Sequence, residues 1–269
     1  LGQGLAHPFF SSVVQSFRTA VEESGYSMIM IANKLGNRSI ESYISHCNQQ
    51  NVDAVFILCT DSNDSGIKDL IHSDIPTVLF DMKDDDTSCV ISNHYEGAVS
   101  AVNYLVDLGH TRIAHIYGNQ YTYAGKERHR GYKDAIMANG LTLNESYMIS
   151  GGYFDLKYGK LAMEKMLALK ERPTAVFISG DMMALGAMQI CLENGVRIPE
   201  DISIIGFDNL PILDWIKPSL TTVSQNIEAI GSTCCNLLTD IIDHKTTENV
   251  VKLIDTQIVI RNSCAQCKD

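Results

Sequence analysis

Four aspartates sit at or just beyond the ends of apolar runs of the kind that form buried strands. Asp61 follows the run ending at Thr60, Asp81 follows Ile75–Phe80, Asp181 comes two residues after Thr174–Ser179, and Asp208 closes Ile204-Ile205-Gly206-Phe207. Three aromatics follow turn-forming residues: Phe9 and Phe10 after Pro8, and Phe154 after Gly151-Gly152-Tyr153. Arg128 supplies a guanidinium. In open α/β sheets, ligands bind beyond the carboxyl ends of the strands, where helix N-termini also point. Aromatic faces there can cover the apolar side of a small polar ring, while carboxylates and a guanidinium hold its hydroxyls by directional hydrogen bonds. That chemistry suits a carbohydrate. Each residue also has an ordinary structural use: Asp61 and Asp181 as helix caps, Phe10 and Phe154 as core packing, Arg128 on a solvated helix face.

Nothing in the chain matches a catalytic motif. Gly2-Gln-Gly4 lacks the third glycine of a dinucleotide fingerprint, because His7 stands in its place. No phosphate-loop lysine, H-E-x-x-H or G-x-S-x-G is present. His94 with Glu96, and His129 between Arg128 and Arg130, read as helix-start and surface residues. Cys264 and Cys267 form a lone C-x-x-C, without the partner pair of a four-ligand metal site. The expectation is a binding protein rather than an enzyme, with no cofactor and no metal.

The 269 residues carry 21 Lys and Arg against 32 Asp and Glu, a net charge of −11. Such a chain repels phosphate backbones, so it is not expected to grip nucleic acid by itself. No apolar run approaches the roughly 18 residues of a membrane span. No secretory leader is visible before Arg18, and Leu1 in place of Met points to a fragment or a processed chain. Several of the eight cysteines lie inside apolar stretches, as reduced, packed cysteines do, which suits a cytoplasmic location.

Extended and helical patterns alternate along the chain. A helical face of Phe10, Val13, Val14, Phe17 and Val21 stops at Gly25, followed by a predicted strand over Tyr26–Ala32 and a helix over Arg38–Gln50. Strands at Val52–Cys59 and Ile75–Phe80 flank a helix over Asp64–His72. Asn93 with Glu96 opens a further helix that stops at Gly109. Strands follow at Arg112–Tyr117, Tyr147–Ser150, Thr174–Ser179 and Ile202–Phe207, separated by helices: one after Arg128, one with Tyr158, Leu161, Ala162, Met166 and Leu169 facing inward, and one over Met182–Glu193. Ile227, Ile230, Cys234, Leu237, Leu238 and Ile241 mark the clearest amphipathic helix, before extended pieces at Lys252–Ile254 and Gln257–Ile260. Consecutively apolar strands imply parallel sheets covered on both faces. The fold class expected is α/β, with two doubly wound parallel-sheet lobes joined by three crossings. The division is 1–92 plus 223–250 for an N-terminal lobe, and 93–222 plus 251–269 for a C-terminal lobe.

Several strings are more specific. They are His7-Pro-Phe-Phe10, Val52-Asp-Ala-Val55, Tyr104-Leu-Val-Asp-Leu-Gly-His110, Arg128-His-Arg-Gly-Tyr132, Arg172-Pro-Thr-Ala-Val-Phe177 and Asp181-Met-Met-Ala-Leu-Gly186. They continue with the long run from Gly195-Val-Arg-Ile-Pro-Glu to Gly206-Phe-Asp-Asn209, then Pro218-Ser-Leu-Thr-Thr222 and Ile258-Val-Ile-Arg261. Almost end to end, the chain resembles the effector-binding core of LacI/GalR-family transcription regulators, a type I periplasmic-binding-protein-like fold. The resemblance implies a ligand site made of Phe9, Phe10, Thr60, Asp81, Arg128, Phe154, Asp208 and Gln225. Phe9 and Phe10 match the aromatic pair at the mouth of the interlobe cleft, Arg128 the effector-binding arginine, and Asp208 the aspartate of the G-F/Y-D motif. Thr60 and Gln225 match more variable cleft positions. Gly180 stands where some sugar-responsive members carry Asn.

The resemblance also implies a homodimer that senses a small-molecule effector, a sugar or sugar derivative, by lobe closure. Operator DNA is expected to be read only through an N-terminal helix-turn-helix module that this sequence lacks, along with the hinge helix; the first strand also looks clipped at Leu1-Gly-Gln. The rival with the same architecture is a periplasmic sugar-binding protein of an ABC transporter. Gly195-Val-Arg-Ile-Pro-Glu-Asp-Ile-Ser203 and Leu108-Gly-His-Thr-Arg-Ile113 are similar to the regulators instead.

Overall fold

The computed structural model describes residues 4–31, 34–35, 38–39, 42–58, 64–246 and 248–268. In chain order these form α1 Pro8–Glu23, β1 Lys34–Leu35, β2 Arg38–Ser39, α2 Tyr43–Gln50, β3 Val55–Ile57, α3 Ser65–Ile71, β4 Thr77–Phe80 and β5 Ser88–Ser92. Next come α4 His94–Asp107, β6 Ile113–Tyr117, α5 Tyr123–Ala138, β7 Met148–Ser150, α6 Leu156–Leu167, β8 Ala175–Ile178, α7 Asp181–Glu193 and β9 Ser203–Asp208. β10 Thr221–Gln225, α8 Ile227–Ile242, β11 Val251–Ile254 and β12 Thr256–Val259 complete the set. Two compact units result. The first comprises residues up to Ser92 with Asn226–Ile254, and the second Asn93–Gln225 with residues from Asp255 onward.

The first unit holds a parallel sheet in the order β11-β5-β4-β3. Every residue of β4 and β5 is buried, as expected for strands covered on both faces. Phe9, Val13, Phe17 and Val21 recur at i, i+4 and form the buried stripe of α1. This helix lies against α8, which buries Ile230, Cys234, Cys235, Leu237 and Leu238. The two approach closely at Gly231, where a Cβ would collide with Ser16 and the Phe17 backbone.

The second unit is built on six strands in the order β12-β10-β9-β8-β6-β7, parallel except for β12. Ala175 and Phe177 of β8 join Ile205, Phe207 and Val223 in a core shared with Ala98, Val102 and Leu105 of α4 and with Tyr132, Ala135 and Ile136 of α5. The alternate residues Val176, Ile178 and Ile204 are equally inaccessible, so this sheet too is covered on both faces. Helices α6 and α7 pack as the second pair.

Five features differ from the sequence-based expectation. Tyr26–Ile31 forms no ladder, and Ala32 lies outside the described residues. An extended run becomes a strand only where its N–H and C=O groups find a neighbour. Here the segment borders a cavity of about 690 Å³ that it lines together with Val55, Phe56, Phe17 and Leu238. Second, the helix predicted over Arg38–Gln50 begins at Tyr43: Ser42 caps it through its Oγ, and Arg38–Ser39 pairs with Lys34–Leu35 instead. Third, α5 begins at Tyr123 under the cap Thr122, ahead of Arg128. Fourth, Leu161 is 44% exposed and Met163 and Leu167 are buried in its stead.

Last, β5 and β10 are strands that the sequence pattern does not predict, because Ser88, Ser92, Thr221 and Thr222 interrupt the apolar signal although all four are buried. Pairing of β10 with β9 keeps 223–225 in the second unit, and pairing of β11 with β5 brings 251–254 into the first. The predicted boundaries at 222/223 and 250/251 therefore move to 225/226 and 254/255.

The core of the second unit contains an imidazole. His115 on β6 is fully buried and stacked on Phe177, with ring centroids 4.8 Å apart, and on Tyr132 at 4.6 Å. Its Nδ1 donates to the Phe177 carbonyl at 2.9 Å. Burial, with a smaller push from the neighbouring His129 and against the opposing effect of the Phe177 carbonyl bond, lowers its pKa from 6.5 to about 3. The unfolded chain binds this proton first as pH falls through 6.5, so the stability contributed by neutral His115 is full above 6.5 and is lost toward about pH 3. In His115→Leu the slope of unfolding free energy against pH between 6 and 4 should fall by about 1.4 kcal/mol per pH unit. Urea melts across that range measure it, and an unchanged slope would refute the assignment.

Candidate functional site

The polar residues of the second unit converge at the carboxyl ends of β8, β9 and β10. Arg128 projects from the second turn of α5 and is 3% exposed. Its guanidinium lies over the Phe207 ring, 3.7 Å from the centroid, with the Phe154 ring at 5.7 Å. Nη1 donates to the Ser179 carbonyl at 2.6 Å, and Nη2 lies 3.3 Å from Asp208 Oδ1. Nε and Nη2 both point to His94 Nδ1, at 3.3 and 3.2 Å. Gln225, the last residue of β10, donates its Nε2 to Asp208 Oδ1 at 2.7 Å. Its Oε1 is buried and has no hydrogen-bond partner among the described residues.

Backbone geometry explains how the chain presents these groups. Asp208 and Asn209 take φ of 119° and 60°, and Phe154 takes 46°, conformations that L residues rarely adopt. Phe154 lies against Gly118, where any Cβ would overlap its ring. Non-glycine residues held at positive φ cluster at ligand sites, where surrounding structure fixes them.

Asp181 opens α7 but is not a cap. It is fully buried, accepting from the Leu210 N–H at 2.9 Å and the Thr222 hydroxyl at 2.7 Å. Gly206 leaves the space for its carboxyl, since a Cβ there would strike Oδ1. Burial first, and then the Asp208 carboxylate, raise the Asp181 pKa well above the ordinary range. One carboxyl of the pair is thus biased toward its protonated form while the other faces Arg128.

In the first unit, Phe9 is buried against Phe80, with ring centroids 6.2 Å apart, and Phe10 sits half-buried at 5.4 Å from Phe9. Asp81 follows β4 at φ 52°, and its Oδ1 accepts from the Ser92 N–H at 3.2 Å. His7, at the N-cap of α1, is 5% exposed, and neither ring nitrogen has a hydrogen-bond partner among the described residues. Thr60 and Asp61 lie outside the described residues.

Residues 102–264 match the periplasmic binding protein-like domain family. The HTH-type transcriptional repressor PurR of Erwinia tasmaniensis is 35% identical over 262 residues, covering 96% of this chain and 76% of the relative. The chain belongs to the LacI/GalR family of transcriptional regulators. Among solved structures, a transcriptional regulator CelR–cellobiose complex aligns with a TM-score of 0.85 at 30% identity, over 97% of this chain and 81% of that one. A LacI-family regulator from Enterococcus faecium with bound ribose aligns with a TM-score of 0.82 at 26% identity, over 99% and 97% of the two chains. The architecture is α/β and periplasmic-binding-protein-like, and the chain is the ligand-sensing core of a LacI-family regulator.

Of the residues named from the LacI-family pattern, Arg128, Phe154, Asp208 and Gln225 come together in the second unit, and Phe9, Phe10 and Asp81 lie in the first. Arg128 is buried and ion-paired, not on a solvated face. Sequence reasoning missed the part played by His94, which stands 34 positions from the arginine it contacts. No spacing rule links a helix-opening histidine to such a partner. It also missed His7, whose unpaired burial only coordinates reveal.

The raised pKa of Asp181 has a direct consequence. The folded chain holds its proton to higher pH than the unfolded chain, so this group's contribution is fully present below about pH 4 and declines as pH rises toward the folded value. Asp181→Asn should therefore gain stability relative to the parent as pH rises above about 4, and show a constant offset below it. A pH-independent offset throughout would contradict the protonated carboxyl.

Proposed function

We propose that the cluster of Arg128, Phe154, Asp208 and Gln225 binds a sugar or sugar derivative as effector; for Phe9, Phe10, Asp81 and Thr60 of the first unit, a ligand role is what the family pattern implies. The observation that carries this reading is the orphaned Gln225 Oε1 beside the Arg128–Asp208 pair. A buried acceptor left unpaired costs about 1–3 kcal/mol, and a ligand hydroxyl relieves that cost. The half-buried Phe154 ring offers an apolar face next to these polar groups, the combination that sugar rings require. Gly180 leaves open the space beside Asp208 Oδ2, which a Cβ would approach to 3.6 Å. Two relatives of similar fold are complexes with cellobiose and with ribose.

The effector then controls DNA binding by a helix-turn-helix module carried elsewhere on the full protein, in the cytoplasm and as a homodimer. None of the described helices is long and apolar enough to cross a membrane. Dimerisation is supported by apolar surface on the second unit: Trp215 is 85% exposed and Leu192 80%. Tryptophan is enriched among the residues that anchor protein interfaces. Sedimentation velocity should give a dimer that Trp215→Lys shifts toward monomer; a parent that sediments as a monomer would refute this surface.

The effector is tested by thermal melting against a panel of pentoses, hexoses and disaccharides that includes D-ribose and cellobiose. A sugar at 100 times its Kd stabilises the folded state by about 2.7 kcal/mol. The parent should melt higher with at least one sugar. Arg128→Lys, which keeps the charge facing Asp208 but loses the planar fork, should not respond. No response to any sugar, or an equal response in Arg128→Lys, would overturn the reading.

A further inference from the structure

Arg128 is held from three directions, and the contact to His94 is not accounted for by ligand binding or by core packing. A guanidinium only donates hydrogen bonds, so His94 Nδ1, at 3.3 Å from Nε and 3.2 Å from Nη2, is the acceptor for both. The imidazole is therefore the neutral tautomer with its proton on Nε2. His94 is 1% exposed and opens α4, where Asn93 caps the helix by accepting from the Glu96 N–H. Its ring also packs 5.8 Å from the Phe207 ring that supports the guanidinium. One residue thus meets both the edge of the arginine and the aromatic face beneath it, from a rigid helix start.

We propose that His94 is a positioning residue for Arg128. By taking the Nε–Nη2 edge, it fixes the rotation of the guanidinium about its last bonds and so decides which N–H groups are presented beside Asp208. Phe207 alone sets the plane of the group but not its rotation in that plane. The Ser179 carbonyl, at 2.6 Å from Nη1, and Asp208 Oδ1, at 3.3 Å from Nη2, act on that rotation too, and His94 is the acceptor that meets Nε and Nη2 together. The consequence for effector affinity rests on the sugar-binding reading above, whereas the positioning itself does not.

Three measurements test it, two of them without ligand. Long-range proton–nitrogen NMR of the parent should show His94 as the Nε2–H tautomer at pH 7.5; an Nδ1–H tautomer or an imidazolium overturns the proposal without any variant. The Arg128 Nε–H resonance, identified by its loss in Arg128→Lys, should exchange with solvent at least tenfold more slowly than those of exposed arginines. His94→Asn, whose side-chain oxygen can take the place of Nδ1, should keep that protection. His94→Phe, which preserves ring volume without an acceptor, should lose it at a melting temperature close to that of His94→Asn. Protection that persists in a folded His94→Phe overturns the proposal. Calorimetry with D-ribose separates the two readings. If the parent binds, His94→Phe should weaken affinity at least tenfold and His94→Asn by less than threefold, and equal affinity in all three counts against positioning. If the parent does not bind D-ribose, the sugar reading loses support and the tautomer and exchange results alone decide the role of His94.

Discussion

A buried ion pair organises the second unit. Arg128 and Asp208 are both about 4% exposed at the side chain and lie 3.3 Å apart, with Phe207 beneath the guanidinium. Removing two charges from water costs several kcal/mol per ion, and their attraction offsets this only where hydrogen bonds satisfy what the pair leaves over. That condition accounts for the surroundings. The Ser179 carbonyl and His94 take donors of the arginine, and Gln225 donates to the aspartate. A hydrophobic pair would fill the same space at less cost to stability, so the arrangement is better explained by recognition than by folding.

The sheet makes the pair possible. Parallel strands deliver Ser179, Asp208 and Gln225 from the ends of β8, β9 and β10 to one edge, because every strand of the run points the same way. The helix that follows β6 brings Arg128 back over the same sheet. Close-packed partners then dictate composition: Gly118 admits the Phe154 ring, and Gly206 admits the Asp181 carboxyl. Asp181 in turn ties the Leu210 amide and the Thr222 hydroxyl to α7, which holds the turn after β9 in its left-handed conformation.

Most of this fold is legible in the sequence because buried parallel strands are consecutively apolar. Thr77–Phe80, Ala175–Ile178 and Ser203–Asp208 stand out for that reason. Ser88–Ser92 and Thr221–Gln225 do not, although they are equally buried, because hydroxyls that are satisfied by neighbouring backbone read as loop. Ser88 and Thr221 show how: each Oγ accepts from a backbone N–H on an adjoining segment. Tyr26–Ile31 errs in the other direction, being largely apolar without a ladder. At the site, residue chemistry identifies Asp208 at a strand end together with Arg128 and Phe154, and the family pattern adds Gln225. Contacts between distant positions, such as that of His94 with Arg128, leave no local trace.

The central claim is that Arg128 and Asp208 act as one unit, and a double-mutant cycle on unfolding free energy tests it most directly. Arg128→Met and Asp208→Leu each strand a buried charge and should each cost about 3–5 kcal/mol. The double variant strands none, so its loss should fall short of the sum of the singles by about 2 kcal/mol or more, toward the upper range of coupling between contacting residues. Losses that add to within about 0.5 kcal/mol would show two independent side chains and contradict the account.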